Sequence, residues 1–205
     1  MTRSVRRTPV QERAVNRRER ILQATAQLLS ELDYAAINVA AIAERAETSI
    51  GSIYQFYPNK DAILHALAAD YLADMRESNA DVFNNVSLSI GQQAEQAVSW
   101  LFEYEANHPG FHHVLKSDWV SSEIKNAVAE MHAHMTAAIG TFIASVAPNL
   151  SRVTRHLAAE LILATSKGVM GEMALHDPEQ REAARQQLVR LITLYVEDLA
   201  RQSAR

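Results

Sequence analysis

The sequence predicts an all-α protein of about nine helices, and both its composition and its hydrophobic pattern favour that fold class. The 205 residues are rich in Ala, Leu, Glu and Gln but include only 6 Gly and 5 Pro, a balance typical of helical proteins. Apolar residues recur at intervals of three and four along most of the chain. A chain of this length can bury a hydrophobic core in one large or two small domains.

The composition also excludes several kinds of protein. The sequence contains no cysteine, so disulfides and thiolate metal sites are excluded. No apolar run approaches the roughly 20 residues of a membrane span. Arg3, Arg6 and Arg7 are followed by charged residues rather than by the apolar stretch of a signal peptide. We therefore expect a cytoplasmic protein that does not associate with membranes.

Charge is distributed unevenly along the chain. The net charge of −4 divides into about +3 for residues 1–60, with nine Lys and Arg against six Asp and Glu, and about −7 for residues 61–205, with eleven against eighteen. The first twenty residues alone hold seven Arg and two Glu. Such a basic arm is attracted to nucleic-acid phosphates or to a narrow minor groove. The alternative is a disordered tail that keeps the protein soluble.

The pattern predicts a first helix over residues 10–32, followed by two short helices joined by a tight turn. Asn38 is a good N-cap for the first of these short helices, because its side-chain oxygen can accept a bond from an unpaired backbone N–H. Glu47 and Thr48 are too few residues for anything but a tight connection, and Ser49 provides a new cap. The spacing is that of a helix-turn-helix.

The second short helix, residues 49–55, has a surface suited to a DNA groove. Ile50 has no hydrogen-bond donor, so we expect it to contact a thymine methyl group, whereas Gln55 can donate and accept. Tyr54 can donate to a phosphate, and the Lys60 ammonium with the N–H groups of the next helix would bind another. Taken alone, the pattern fits a plain pair of amphipathic helices equally well. The candidate DNA-binding residues are Asn38, Ser49, Ile50, Gly51, Ser52, Tyr54, Gln55 and Lys60.

Further helices are predicted wherever the apolar period resumes between breaks. Pro109 with Gly110 ends one of them, and Pro148 ends another. The last helix begins with Asp177 as N-cap and Pro178 in its first turn. These predicted helices cover residues 60–84, 89–107, 111–115, 121–146, 151–175 and 177–202.

The last two helices carry apolar stripes that could form a four-helix bundle with a second copy of the chain. Because one short recognition helix covers only a few base pairs, a two-fold pair reading two half-sites of a palindrome is favoured. The alternative is that the stripes are buried within one subunit. The candidate interface residues are Leu157, Leu161, Gly168, Leu188, Leu191, Ile192 and Tyr195.

The middle helices contain large and adaptable side chains of the kind that line a site for a hydrophobic or aromatic small molecule. Aromatic and Met residues at helical spacing also form ordinary cores, so both interpretations stay open. The candidate pocket residues are Trp100, Tyr104, Phe111, Trp119, Met131, Met135, Phe142 and Met170.

Histidines cluster near the break at Pro109. His108, His112 and His113 lie there, and Glu130 and His134 are one helical turn apart farther along. A metal site can be imagined, but we expect surface or pocket histidines and no metal. No nucleophile elbow, phosphate-binding Gly loop or paired-carboxylate site is recognisable, so we expect no catalytic residues and no cofactor.

Residues 38–60, with the helix before them, resemble the DNA-binding domain of the tetracycline-repressor (TetR) family of bacterial transcription regulators. The matching positions are Asn38, Ile42, Ala43, Ala46, Ser49, Gly51, Ser52, Tyr54, Pro58 and Lys60. The resemblance covers about the first third of the chain. It implies a small-molecule site in the following helical region, whose occupancy changes the separation of the two DNA-binding heads of a dimer.

Two residues depart from the family pattern. Glu47 stands where the family usually has Gly, so the turn either keeps a negative φ or strains this residue. Phe56 stands where Tyr or His is more common and cannot donate a hydrogen bond to a phosphate. We therefore expect Phe56 only to pack against the sugar-phosphate surface.

The sequence predicts two domains: a three-helix DNA-binding domain with a basic arm, residues 1–60, and a helical effector-binding and dimerisation domain, residues 61–205. The resemblance implies a dimeric repressor that a small-molecule effector releases from a palindromic operator. Two alternatives remain: an all-α small-molecule-binding protein or enzyme with a vestigial helix-turn-helix, and a TetR-like regulator without an effector.

Overall fold

The computed structural model describes residues 9–78, 82, 88–116, 121–173 and 176–205, with only the backbone for residues 9–14 and 115–116. These residues form nine α-helices, one short 3-10 helix at Tyr34–Ala36 and no strand, which confirms the predicted all-α fold. The helices are α1 Pro9–Glu31, α2 Val39–Arg45, α3 Ile50–Tyr54, α4 Lys60–Ser78, α5 Ile90–Asn107, α6 Phe111–Lys116, α7 Ser122–Val146, α8 Arg152–Met173 and α9 Pro178–Ser203.

Several helices begin at polar residues whose side chains cap them. The Ser89 side chain accepts from the backbone N–H of Gln92, and the Gln92 side chain accepts from the Ser89 backbone, which is a complete capping box. At α9, Asp177 accepts from the N–H of Gln180 at 3.0 Å, with Pro178 in the first turn. The predicted ends of α4 near residue 84 and of α8 at residue 175 lie outside the described residues.

The described chain divides into two compact units. Unit 1 consists of the residues up to Asp70 together with those from Pro109 to Ser121, and unit 2 consists of Tyr71–His108 and Ser122–Arg205. Within the described residues, no helix combines the length and the apolar character needed to cross a membrane.

Unit 1 has a core of aliphatic side chains contributed by α1 to α4, by Ile37 before α2 and by α6. Its fully buried members include Ile21, Leu29, Ile42, Ile53, Ile63, Leu64 and Val114. The short helix α6 packs against α1, and Gly110 makes this close approach possible. Gly110 has φ 75, and a Cβ there would lie 3.0 Å from the Leu29 Cβ and 3.2 Å from the Ala26 carbonyl oxygen. Any other residue would therefore clash as well as strain the backbone.

Unit 2 is a bundle in which α5 packs mainly on α9 and α7 mainly on α8. Helices α5 and α9 approach closely at Gly91, where a Cβ would lie 3.7 Å from the Thr193 methyl carbon. At the other end of α9, the Asn149 backbone N–H donates to the Ser203 hydroxyl and its side-chain amide donates to the Ser203 carbonyl, each at 2.9 Å. These bonds tie the last turn of α9 to the connection between α7 and α8.

Candidate nucleic-acid interface and ligand cavity

The turn between α2 and α3 is a left-handed helix ending. Glu47 has φ 50, its N–H donates to the Glu44 carbonyl at 3.1 Å, and the Thr48 N–H donates to the Ala43 carbonyl at 2.9 Å. This bonding pattern is a Schellman motif, which strongly favours Gly at the position that Glu47 occupies. Of the two possibilities for Glu47, the structure therefore has the positive φ, which is strained for this residue.

Helices α2 and α3 both begin with a side-chain cap. The Asn38 side-chain oxygen accepts from the Ala41 N–H at 3.0 Å, and the Ser49 hydroxyl oxygen accepts from the Ser52 N–H at 3.1 Å. Asn38 and Ser49 thus already serve the fold as caps. The hydroxyl oxygens of Ser49 and Ser52 are 2.9 Å apart and bonded to each other.

One face of α3 is buried and the other is open. Ile53 is fully buried, whereas 44% of Ile50 and 54% of Tyr54 is exposed. Gly51 and Gln55 are also exposed, and Phe56 is half-buried. The candidate DNA-contacting residues of α3 therefore lie on accessible surface.

Gly51 lies on the exposed face of α3, and packing within the chain does not require a glycine there. A Cβ at Gly51 would meet only the Ser49 hydroxyl oxygen, at an ordinary 3.9 Å, and the backbone there is helical. Glycine costs about 1 kcal/mol relative to alanine inside a helix. The fold would therefore accept alanine at this position and gain stability from it.

Lys60, at the start of α4, is held by Tyr34. Its Nζ donates to the Tyr34 carbonyl oxygen at 3.0 Å and lies 3.9 Å from the centre of the Tyr34 ring. The Tyr34 hydroxyl donates to the Asp61 carboxylate, and this bond raises the pKa of Tyr34 to about 12. The ammonium is therefore positioned by both the carbonyl oxygen and the ring of Tyr34. Sequence reasoning missed Tyr34, which lies 26 residues before Lys60 and belongs to no recognisable motif.

Asn59 caps α4. Its side-chain oxygen accepts from the Ala62 N–H at 2.9 Å, so the backbone N–H groups before Ala62 point out of the helix beside Lys60.

Two arginines of unit 1 are paired: Arg45 binds Glu31 through two 2.8 Å bonds, and Arg18 binds Asp70 through two 3.0 Å bonds. The arginines at positions 3, 6 and 7 of the predicted basic arm lie outside the described residues.

Unit 2 contains an apolar cavity of about 50 Å³ between α5, α7, α8 and α9. Three of the candidate pocket residues, Trp100, Met135 and Phe142, line it. The other lining residues are Ile90, Gln93, Ala94, Ala97, Val98, Leu101, Ile139, Ile143, Ile162, Leu163, Ser166, Ile192 and Val196. Most of these are aliphatic residues that were not among the predicted pocket residues, and Ile192 was instead a candidate interface residue.

The remaining candidate pocket residues have other places. Tyr104 is buried, its hydroxyl donates to the Tyr71 carbonyl at 2.6 Å, and burial raises its pKa. Phe111 is fully buried in unit 1, so it does not line the cavity of unit 2. Met131 and Met170 are buried but are not among the lining residues. Trp119 lies outside the described residues. Helical spacing predicts that these side chains are buried, but it does not predict whether they are buried in unit 1, in unit 2 or at the cavity.

Gln93 is a polar lining residue that the sequence analysis passed over. It follows Ile90 by three positions and precedes Ala97 by four, so it lies on the apolar stripe of α5. A lone amide at a core-facing position was the signal that could have identified it.

The outer faces of α8 and α9 expose a group of aliphatic side chains, which we call the apolar face. Its members and their exposed fractions are Val153 69%, Leu157 56%, Leu161 57%, Leu191 51% and Leu194 52%. Gly168 is exposed beside it on α8, and Tyr195 is half-buried on α9. Leu188 and Ile192 are only 3% and 7% exposed, so these two candidate interface residues belong to the core of the subunit. Val153 and Leu194 continue the stripe and were missed.

The histidines of the break at Pro109 fall in different units. His108 belongs to unit 2, where its Nε2 lies 3.1 Å from the Asp74 carboxylate and its Nδ1 lies 2.8 Å from the Tyr104 carbonyl oxygen. His112 and His113 belong to unit 1. Within the described part of the chain, no three His, Asp or Glu side chains are grouped so that they could hold a metal ion.

Two family models match the chain. The model described as "Bacterial regulatory proteins, tetR family" matches residues 21–67, and the model described as "Tetracyclin repressor-like, C-terminal domain" matches residues 89–195. The transcriptional repressor KstR of Rhodococcus jostii is 43% identical over 56 residues, which cover 27% of this chain and 26% of that protein. The chain thus spans about a quarter of the length of this curated relative.

Solved structures of bacterial transcription regulators share this fold. FadR of Bacillus subtilis in complex with stearoyl-CoA matches with a TM-score of 0.63 and 17% identity, over 85% of this chain and 97% of that one. A TetR-family regulator of Agrobacterium tumefaciens matches with a TM-score of 0.67 and 20% identity, over 86% and 97%. One family model spans the helix-turn-helix and the other spans more than half of the chain, and the protein therefore belongs to the TetR family of bacterial regulatory proteins.

Proposed function

We propose that this protein is a dimeric, DNA-binding transcriptional repressor that leaves a palindromic operator when a hydrophobic small molecule binds in unit 2. The observation that carries the proposal is the open face of α3, where Ile50 and Tyr54 are about half exposed around a glycine that the fold does not need. A helix that enters a major groove requires such a face, because its first residues must approach base edges closely. The repressors named KstR, similar to this chain over stretches of 56 and 48 residues, support the same role.

In this proposal, α3 reads base edges and its neighbours hold phosphates. Ile50 contacts a thymine methyl group, and Gly51 and Ser52 allow the helix backbone to lie close to the groove. Tyr54 and Gln55 contact the sugar-phosphate backbone or a base edge. Lys60, positioned by Tyr34, and the uncapped N–H groups at the start of α4 bind one phosphate. Asn38 and Ser49 contribute mainly by capping the helices that carry these contacts.

The apolar face is the proposed site for a second copy of the chain. Its residues repeat at intervals of four on α8 and three on α9, so two copies related by a two-fold axis would bring four helices together. Full burial of an exposed leucine contributes about 1.5–3 kcal/mol, and each of these half-exposed leucines would contribute part of that. The exposed Gly168 allows close helix approach. A two-fold dimer would carry two copies of α3, as a palindromic operator requires.

The cavity of unit 2 is the proposed effector site. It is apolar, and α5, α7, α8 and α9 all contribute to its wall. FadR of Bacillus subtilis, which shares the fold, was solved in complex with stearoyl-CoA, whose long acyl chain is apolar although its CoA group is charged, so this fold can hold a ligand with an apolar part. The effector must bind more tightly to the form that does not bind DNA, since only differential affinity shifts such an equilibrium.

The decisive experiment measures binding of the full chain to palindromes from its own promoter region by fluorescence anisotropy at several salt concentrations. We expect binding to one palindrome that is at least about a thousandfold tighter than to a scrambled duplex, with an affinity that falls as salt rises. Equal binding to both duplexes at every salt concentration would overturn the proposal. The scrambled duplex serves as the control because it has the same length and charge.

A further inference from the structure

The lining of the unit 2 cavity is uncharged. Gln93 and Ser166 are its polar members, and the other lining side chains are aliphatic, aromatic or Met. An ionised ligand group in this cavity would meet no side chain of opposite charge among the described residues and would lose its hydration. The lining therefore selects against carboxylates, phosphates and ammonium groups.

Gln93 has one satisfied and one unsatisfied end. Its side chain is almost completely buried, and its Nε2 donates to the Val82 carbonyl oxygen at 2.7 Å. Its Oε1 is buried and makes no hydrogen bond within the described part of the chain. A buried acceptor without a partner is destabilising, so a donor that reaches it gains more than an average hydrogen bond would provide.

Ser166 presents the same kind of group. Its hydroxyl donates to the Ile162 carbonyl oxygen at 2.8 Å, so in this geometry its proton is committed and its lone pairs can only accept. Both polar groups of the cavity wall therefore offer acceptors. A ligand must supply the donor.

We infer that the cavity takes a neutral, apolar molecule carrying one hydroxyl or N–H group, which donates to Gln93 Oε1. This inference rests on the proposed function, because it names the chemical class of the proposed effector. The bond from Nε2 to the Val82 carbonyl fixes the amide orientation and polarises Oε1, which strengthens it as an acceptor. Gln93 thus connects the ligand directly to Val82, in the segment between α4 and α5.

The cavity must expand when the ligand enters. Its volume of about 50 Å³ is well below the roughly 150 Å³ of an apolar cavity that admits benzene. Met135 is the lining residue best able to adapt, because its thioether side chain has three rotatable bonds. A ligand larger than a few heavy atoms therefore separates α5 from its neighbours to some extent.

The test compares three probes of similar size: 4-propylphenol, its methyl ether and 4-propylbenzoate. Their affinities for the full chain without DNA are measured by isothermal titration calorimetry at neutral pH. We expect the phenol to bind about tenfold or more tightly than the ether, which has no donor, and the benzoate to bind more weakly still. Equal affinities of phenol and ether, or tighter binding of the benzoate, would overturn the inference.

Two variants test whether Gln93 accepts the hydrogen bond that the ligand donates. Gln93→Leu keeps the side-chain size but removes the acceptor, so the ratio of phenol to ether affinity should fall to near one. Gln96→Leu makes the same chemical change at an exposed position of α5 and should keep the wild-type ratio. An unchanged ratio in Gln93→Leu would exclude Gln93 as the acceptor. If Gln93→Leu no longer melts cooperatively, the inference is judged from the ratio of phenol to ether affinity in the wild-type protein and in Gln96→Leu.

The same probes separate this inference from the proposed function. A preference for the phenol in a protein that binds no palindrome would support the ligand class and overturn the repressor proposal. Specific operator binding without a preference for the phenol would leave the repressor proposal standing and overturn the ligand class. If both hold, the phenol should release the operator and the ether should release it only at about tenfold higher concentration.

Discussion

Two neighbouring residues of the helix-turn-helix break rules of local stability. Glu47 adopts a positive φ at a position that favours Gly, and Gly51 occupies a helical position that would favour Ala. The first costs the fold stability through strain, and the second through a more flexible unfolded chain. Residues that are unfavourable for folding are expected where a surface is selected for another task.

Gly51→Ala should separate stability from DNA binding. We expect the free energy of unfolding to rise by about 0.5–1 kcal/mol, because Ala is the better helix former and its Cβ has room. Operator affinity should fall roughly tenfold, because the added methyl group would meet the DNA. Thermal denaturation and fluorescence anisotropy measure the two effects. Gly140→Ala on α7, where a Cβ meets nothing within 4 Å, is the matched control and should stabilise without weakening DNA binding.

Glu47→Gly should stabilise the protein and also improve its binding to DNA. Removing the strain should raise the free energy of unfolding by about 1 kcal/mol, and removing the carboxylate should reduce repulsion from phosphates. Glu47→Gln removes the charge but keeps the strain, so it should improve binding without raising the melting temperature. Equal melting temperatures for the two variants would show that the turn is not strained.

Lys60→Ala should weaken binding to operator and to random duplex by the same factor. One phosphate contact is lost, so the slope of log affinity against log salt should become shallower by about one unit. Because Lys60 also contacts Tyr34, the melting temperature must be measured alongside. Lys125→Ala, an exposed lysine of α7 in unit 2, is the charge-matched control. An unchanged slope would remove Lys60 from the phosphate contacts.

At the scale of the elements, the sequence predicted where helices begin more reliably than what they touch. Asp177 with Pro178, and Ser89 with Gln92, specify their helix starts through local hydrogen bonds, and such bonds need no knowledge of the rest of the fold. The contact of Lys60 with Tyr34 depends on how the chain folds back over 26 residues. The sequence pattern does not predict this contact.

The same limit applies to the candidate sites. Leu188 and Leu191 are three positions apart and equally apolar, yet the first is buried in the subunit and the second is half exposed. A broad apolar stripe tells how much of a helix avoids water but not which part faces its own subunit. Phe111 illustrates a related limit, because a helix as short as α6 carries no signal for the core that it joins, and the structure buries Phe111 in unit 1.

The apolar face makes a prediction at this scale. Leu161→Asp should convert the proposed dimer into a monomer, because a carboxylate would be buried against the apolar face of the other copy. Sedimentation velocity should show the loss of the dimer, and operator affinity should fall with it. Ala129→Asp, on an exposed part of α7, is the control and should remain dimeric. A dimer that persists in Leu161→Asp would place the interface elsewhere.

At the scale of the whole molecule, charge and linkage act together. Residues 1–60 carry a net charge of about +3 and residues 61–205 a net charge of about −7, so DNA attracts the first part of the chain and repels the second. If the effector lowers operator affinity by some factor, operator DNA must lower effector affinity by the same factor. This reciprocity gives a check on the proposed mechanism that needs no structure of either complex.

Trp100 lies on the cavity wall, half-buried, with its ring centre 5.6 Å from that of Tyr104. The fluorescence of Trp100 can therefore report ligand binding in the cavity. In a Trp119→Phe variant, Trp100 is the only indole of the chain, which has 2 Trp in all. We expect its emission maximum and intensity to change in proportion to cavity occupancy when 4-propylphenol is added. A constant spectrum under conditions where calorimetry detects binding would place the ligand elsewhere.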